Sequence, residues 1–336
     1  MDKNTQAQAD TDRLYMRRCL QLARCGIMGA KPNPMVGAVI VARGRIIGEG
    51  YHVRCGEGHA EVNAFASVRP EDERLLGEAT IYVSLEPCAH YGKTPPCADL
   101  IVSKGVRRAV VGCVDPFAKV HGRGIEKLRR AGIEVTVGVL KEECEELNRR
   151  FIACNTAHRP YVTLKWAQTA NALIDDDGRT LAISTPFTQM LVHKLRSECD
   201  AILVGRVTNE REHPRLDVRR WAGKAPMKIV IDRNNPAFPG LDFARPVIPQ
   251  LMEWLQGQRC QSLLVEGGAR TLQAFIDAGC WDAIRVETSA QCVARGTHAP
   301  QLPGNVVLRK LEHYDGNTIA LYERAHIKLT SRQVDE

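Results

Sequence analysis

The feature of this sequence that most limits its fold is a repeated alternation of short, β-branched apolar runs with segments of helical periodicity. The hairpin pattern "MVGAVIV", "ARGR", "IIGEGYH" is followed by the strand candidates "ATIYVSLEPC", "RRAVVGCVD" and "IEVTVGVL". Helical spacing runs over residues 12–25, from His59, from about Pro96, through "GIEKLRRAG" and from Lys141. Near-continuous apolar strands need cover on both faces, and the intervening helices supply it. The pattern predicts an α/β fold around a mixed or parallel sheet.

After Arg149 the alternation starts again. "YVTLKWAQT", "DAILVG", "MKIVID", "SLLVEGG" and "AIRVETS" are strand candidates, and "TPFTQMLVHKLRSE" is a helix candidate. Between the halves, "CNTAHRP" interrupts both periodicities with polar residues and a proline. A chain of 336 residues is long for one core. Two α/β domains, 1–150 and 151–336, are expected.

Composition narrows the function classes. Apolar residues make up 44% and charged residues 25%, and no apolar run approaches the roughly 20 residues of a membrane span. The opening "MDKNTQAQADTDR" lacks an apolar signal core and reads as a short disordered lead, so a cytoplasmic enzyme with no membrane partner is expected. The 12 cysteines are scattered, which argues against a disulfide framework. A formal charge of +7, spread without a dense basic block, suits phosphorylated small substrates as well as nucleic acid.

Chemistry is concentrated in "HAEV" and "LEPCAHYGKTPPC". His59 opens a helix, Cys88 ends a strand and Cys97 starts the next helix. One imidazole and two thiolates on separate elements can hold Zn²⁺ and leave a fourth tetrahedral position for water, the arrangement of a catalytic site. At a helix start, the Cys97 thiolate would gain from unpaired backbone N–H groups. Glu61, two residues past the imidazole, can reach that water as a proton carrier. A His-x-Glu with a Pro-Cys is a known signature of zinc nucleobase deaminases. In such chemistry zinc acidifies water, water adds to an amidine-like ring carbon, and the Glu delivers a proton to departing ammonia. The simpler reading is a capping histidine and two buried thiols. Eight residues separate the two cysteines here, against two in the general signature.

"KPNPMVGAVIV", "GEGYHVRCGEGHAEV", "LEPCAHYGKTPPC" and "VDPFAKVHGRG" together resemble the bifunctional deaminase–reductase family of riboflavin biosynthesis, in which the long cysteine spacer is characteristic. The resemblance covers essentially the whole first half and implies a cytidine-deaminase-like domain. That domain would deaminate 2,5-diamino-6-ribosylamino-4(3H)-pyrimidinone 5′-phosphate. His59, Cys88 and Cys97 would hold zinc, Glu61 would move protons, and Asn33, His52 and Lys93 would contact the substrate. By themselves those three read as a turn residue, a hairpin-end residue and a solvated residue. In the second half, "YVTLKWAQT", "ISTP", "HKLRSECDAILVG", "HPRLDVR", "KIVID" and "VEGGARTLQAFIDAG" are similar to the family's dihydrofolate-reductase-like domain. This resemblance implies NADPH-dependent reduction of the ribosyl chain. Lys165 would lie near the ribose and Arg219 would hold the substrate phosphate. Ser184, Gly205, Thr208, Gly267 and Gly268 would hold the cofactor. A Gly pair between strand and helix also occurs as a plain tight turn.

The second half departs from the family pattern. Thr169-Ala170-Asn171-Ala172 replaces the usual Ser-Leu-Asp-Gly, Arg206-Val207 follows "AILVG", and Glu212 replaces an Asp. An alanine at a positive-φ position would be strained, and an added methylene would displace a carboxylate. Arg206 is expected to face solvent rather than a cofactor phosphate. These departures motivate an alternative in which the second domain is a catalytically degenerate scaffold. A nucleic-acid deaminase is a further alternative, disfavoured by scattered aromatics and by the cysteine spacing. The expected partners are therefore a phosphorylated pyrimidine nucleotide and further copies of the chain in a homo-oligomer, without nucleic acid.

Overall fold

The structure is a computed structural model that describes residues 3–91, 95–116, 122–234 and 241–325. The chain divides into two compact units, Met1–His158 and Arg159–Glu336. The division falls after His158 rather than after Arg150, because a helix over Arg149–Thr156 carries the first unit past that point and into the first three residues of the stretch expected to be the junction.

In the first unit, α1 (Lys3–Arg24) leads to the hairpin β1 (Gly37–Ala42) and β2 (Arg45–Tyr51), then to α2 (Ala60–Ala66) and a 3₁₀ segment at Pro70–Glu78. There follow β3 (Thr80–Leu85), α3 (Cys97–Ser103), β4 (Arg108–Cys113), α4 (Arg123–Arg130), β5 (Glu134–Val137), α5 (Lys141–Leu147) and α6 (Arg149–Thr156). The sheet order is β2-β1-β3-β4-β5, with β1 antiparallel to both neighbours and β3, β4 and β5 parallel. β1 is buried along its length: Ala38, Ile40 and Ala42 enter one apolar layer, Val39 and Val41 the other. Alternate side chains leave a strand on opposite faces, so helices must cover both sides.

The opening residues are not a disordered lead but helical from Lys3. Met16, Cys19 and Leu20 of α1 enter the core. Earlier in the helix the buried Asp12 accepts from both guanidinium nitrogens of Arg108 at 2.8 Å and from the Tyr82 hydroxyl at 3.0 Å. Those bonds tie the polar lead to the sheet, which composition could not show.

β2 lies directly on the backbone of α2. A Cβ at Gly50 would stand 2.3 Å from the Ala64 nitrogen and 2.6 Å from the Ala60 oxygen. Gly50→Ala is therefore expected to push α2 off the sheet and to destabilise the first unit by about 3 kcal/mol, the upper range for overpacking. Urea unfolding followed on that unit checks this; a midpoint unchanged from the parent would refute the close approach.

In the second unit, β6 (Tyr161–Gln168) is followed by α7 (Pro186–Glu198), β7 (Ala201–Gly205), α8 (Arg206–Glu212), β8 (Met227–Ile231), α9 (Val247–Gly257) and β9 (Ser262–Val265). α10 (Ala269–Asp277), β10 (Ala283–Thr288), β11 (Val306–Tyr314) and β12 (Asn317–Arg324) complete it. The sheet order is β11-β12-β10-β6-β9-β7-β8. The five expected strands are the parallel core of this sheet, and β12 and β11 add to it antiparallel. The β11–β12 hairpin escaped sequence reading because β11, at the edge, exposes most of its residues and shows no clean period of two. Parallel strands all point their C-terminal ends the same way, and such ends commonly border a ligand crevice.

Candidate active sites in the two units

The first site forms where three elements meet. His59 occupies the N-cap position of α2, Cys88 lies just past β3, and Cys97 is the first residue of α3 behind Pro96. The two sulfurs stand 3.6 and 3.3 Å from Nδ1 of His59, and the three candidate ligand atoms all lie within 4.8 Å of one another. Tetrahedral zinc with bonds of about 2.3 Å to sulfur and about 2.05 Å to nitrogen gives sulfur-to-nitrogen edges of about 3.6 Å. The donor set and its spacing therefore fit zinc. Among the described residues this is the group of His, Cys, Asp and Glu side chains that converges in this way.

The electrostatics of the cluster follow from burial and shared protons. The Cys88 thiol is drawn down to about 4 by the hydrogen bond with Cys97, with further help from His59 and the Cys97 backbone N–H, while Cys97 is pushed up by the same pairing. The helix-start amide thus supports Cys88, to which it donates at 3.3 Å, and not Cys97 as expected. His59 is raised by its bond to Cys88. Glu61, 3% exposed in the first turn of α2, is raised by burial. A carboxyl withdrawn from water beside three metal-ligand atoms is suited to hold and release a proton.

His59, Glu61 and Cys88 open onto a cavity of about 290 Å³ that also takes in Asn33, His52, Glu86, Asp115, Phe151 and Asn155. His52 is buried, and burial lowers its pKa. Its Nδ1 faces the Gly58 carbonyl at 3.1 Å and its Nε2 faces Nδ2 of Asn33 at 3.1 Å. A carbonyl can only accept, so the proton sits on Nδ1 and Nε2 accepts from Asn33, which leaves the Asn33 oxygen as that residue's acceptor toward a ligand. Lys93 lies outside the described residues.

Sequence reasoning missed four of the lining residues. Glu86, directly before Pro87-Cys88, is 4% exposed and accepts backbone N–H groups from Asp115, Gly122, Gly124 and Ile125 at 3.2, 2.9, 2.9 and 3.3 Å. One carboxylate therefore fixes the start of α4 and the end of β4 beside the ligand-bearing turn. Its place next to the cysteine was the available signal. Phe151 and Asn155 are one helical turn apart on α6, a helix not expected from the sequence, and the expected boundary after residue 150 puts both in the following domain.

In the second unit a cleft of about 950 Å³ lies over the C-terminal ends of β6, β9 and β7. Lys165, Ser184, Gly205, Thr208 and Gly268 all line it. Gly267 is packed behind: a Cβ there would meet the Val204 Cα at 2.4 Å. Gly268 has φ +40, and a Cβ on it would point at Oγ1 of Thr208 at 3.1 Å. The bare backbone at the start of α10 is thus a cradle that side chains would fill, which fits a dinucleotide's phosphates. Ser184 donates to the buried Glu287 at 2.9 Å. Arg219 is not brought to the cleft lining; it is half exposed and paired with Asp217 at 2.5 Å.

Sequence reasoning also missed Arg196 and Glu266. The Arg196 fork donates to Glu266 at 2.9 and 2.7 Å within the cleft. Burial alone would raise the Glu266 carboxyl, but Arg196 and Lys165 hold it below its ordinary value. Burial pulls the Lys165 ammonium down, opposed by Glu266. Glu212 lines the same cleft and is raised by burial.

The departures from the family pattern have structural consequences. Ala172 has φ +59, the left-handed region that favours glycine. Asn171 is used locally: it accepts from Thr169 at 2.8 Å and donates to the Val293 carbonyl at 2.8 Å. Ala172→Gly is expected to raise stability by about 0.5–1 kcal/mol, since relief of the left-handed strain exceeds the entropy lost by adding a glycine. Thermal or chemical unfolding of the two forms measures it; a less stable glycine variant would show that the position is unstrained.

Fold and sites together define a class: a zinc-binding deaminase domain followed by a reductase-type α/β domain on one chain. Residues 9–113 match the cytidine and deoxycytidylate deaminase zinc-binding region, and residues 160–314 match the RibD C-terminal domain. The chain is 36% identical to the riboflavin biosynthesis protein RibD of Aquifex aeolicus, over 90% of this chain and 92% of that one. It is 40% identical to the RibD of Escherichia coli, over 82% and 86% of the two chains. Among solved structures it resembles a diaminohydroxyphosphoribosylaminopyrimidine deaminase/5-amino-6-(5-phosphoribosylamino)uracil reductase from Thermotoga maritima. That match has a TM-score of 0.85 and 32% identity, covering 95% of this chain and all of the other. The chain belongs to the RibD family and is a bifunctional deaminase and reductase of riboflavin biosynthesis. Family membership favours this over the nucleic-acid deaminase weighed from sequence.

Proposed function

We propose that the first unit releases ammonia from 2,5-diamino-6-ribosylamino-4(3H)-pyrimidinone 5′-phosphate. The second unit then reduces the ribosyl chain of the resulting aminouracil nucleotide to ribityl with NADPH. The observation that carries the reading is the convergence of His59, Cys88 and Cys97 beside the buried Glu61, at the wall of a cavity sized for a pyrimidine. Zinc held by the imidazole and the two sulfurs would acidify the attacking water. Glu61 takes a proton from that water and passes it to the amino nitrogen that leaves as ammonia. Asn33 offers its oxygen to an N–H of the pyrimidine, and His52 holds Asn33 in that orientation. Lys93 is proposed as a donor to the substrate phosphate.

In the second unit, Lys165 and Glu266 stand one residue past the paired Leu164 and Val265 on adjacent strands. In this reading they hydrogen-bond the ribosyl hydroxyls and the cofactor phosphates lie against Gly268 and Thr208, which line the same cleft. Among the described residues no helix is long and apolar enough to cross a membrane. A cytoplasmic homo-oligomer is the state proposed, open to sedimentation analysis. The deciding experiment supplies the diaminopyrimidine nucleotide to zinc-loaded protein, follows ammonia, and then follows NADPH absorbance. Ammonia release with subsequent NADPH oxidation supports the reading. No ammonia refutes the deaminase half, and ammonia without NADPH oxidation leaves the second unit as a scaffold.

A further inference from the structure

Arg206 is the first residue after β7 and lines the cleft. Carboxylates hold its guanidinium on two sides. Nη1 donates to Glu210, one turn along α8, at 2.6 Å, and Nε lies 3.8 Å from Asp232, the first residue after β8. Asp232 is itself fixed by the Asn234 backbone N–H at 2.9 Å and is only 18% exposed. Nη2 is left as the edge with no hydrogen bond among the described residues, on a side chain that is 45% exposed. Beside Asp232, Arg233 is exposed, its guanidinium 5.9 Å from the centre of the Phe243 ring.

Strand order decides which part of a dinucleotide reaches these groups. The phosphate cradle lies at the start of α10, after β9 and against Thr208 of α8, while Lys165 and Glu266 lie on β6 and at the end of β9. The reacting ring must sit on the β6 side, so the adenosine half runs the other way, across the ends of β7 and β8. Neighbouring strands are about 4.8 Å apart, which puts the end of β8 about 10 Å from that of β9. That span is comparable with a nucleoside's reach from its pyrophosphate; Arg206 lines the cleft there, and Arg233 is two residues past the end of β8.

We infer that Arg206, assisted by Arg233, reads the 2′-phosphate of the cofactor and makes this chain select NADPH over NADH. The inference rests on the reductase reading above and corrects the expectation that Arg206 merely faces solvent. Asp232 and Glu210 alone would repel a phosphate. With Arg206 between them, they orient a fork on a residue that lines the cleft and leave its Nη2 edge unbonded, and a guanidinium edge of that kind is what grips phosphate.

The test is calorimetric binding of NADP⁺, NAD⁺ and the fragments 2′,5′-ADP and 5′-AMP to the full chain. The parent protein is expected to prefer each 2′-phosphorylated ligand. Arg206→Ala should weaken NADP⁺ and 2′,5′-ADP binding about 10- to 100-fold while leaving NAD⁺ and 5′-AMP unchanged, and Arg206→Lys should recover part of the loss. Ammonia release should be unaltered in both variants, which shows that the first unit has folded, and retained NAD⁺ and 5′-AMP binding shows that the second has. If Arg206→Ala leaves the NADP⁺ to NAD⁺ ratio unchanged, or the parent binds both equally, the inference fails. If the parent binds none of the four, the reductase reading itself fails.

Discussion

Glu61→Gln is expected to lower ammonia release by about 10³-fold, within the range for loss of a positioned proton carrier, while bound zinc, and NADPH oxidation when the deaminated intermediate is supplied directly, stay at parental levels. The amide is nearly the same size as the carboxyl, and the pocket at the start of α2 is buried, so the metal ligands keep their places. What disappears is a group that can take a proton and give it back. Metal analysis beside the ammonia assay distinguishes this from collapse of the site. A variant that lost zinc and activity together would assign Glu61 a structural task, and one that kept parental activity would remove it from the chemistry.

Lys165→Met should lower the rate of NADPH oxidation by about 10²-fold with no effect on ammonia release, because a preorganised donor inside a cleft is worth roughly that much. The pH profile carries a further expectation. Burial favours the neutral amine, so the Lys165 pKa in the folded protein lies below the ordinary lysine range of about 10.4. The charged donor is present at low pH and is lost as pH rises through the depressed value. Reductase activity should therefore fall on the alkaline side earlier than an exposed lysine would allow, and this limb should be missing from the methionine variant. The unfolded chain holds the proton to higher pH than the folded one, so this group also makes folding less favourable as pH drops through the same window. Rate against pH for the two proteins, with unfolding midpoints at matched pH values, checks both statements.

How far the sequence could be read depended on the range of the interactions involved. The strands of both central sheets were legible because a strand buried on both faces is largely apolar, as β1, β3, β4 and β7 are. The edge hairpin of β11 and β12 was not, since exposure erases that signal. The helical lead also stayed hidden, because what holds it is an ion pair to Arg108, 96 positions further along the chain. His59, Cys88 and Cys97 were found because thiolate and imidazole ligation is a property of residue type and of the caps on which those residues sit. Phe151, Asn155, Arg196 and Glu266 were missed because nothing in their local neighbourhoods sets them apart from ordinary surface or core residues, and Glu86 because only its place before Pro87-Cys88 marks it.

The sequence by itself determined the metal chemistry: one imidazole, two sulfurs and a nearby carboxylate, each beside a helix start or strand end, restrict the ion and the role whatever else surrounds them. It also determined the doubled α/β layout, since periodicity is a local property of the chain. Only the tertiary structure decided which carboxylate is buried deeply, which arginine is pinned at the cleft of the second unit, and which one, Arg219, is not among the residues that line it. Burial, field and distance are sums over residues remote in sequence, and the chain acquires them only when its strands have been ordered into sheets.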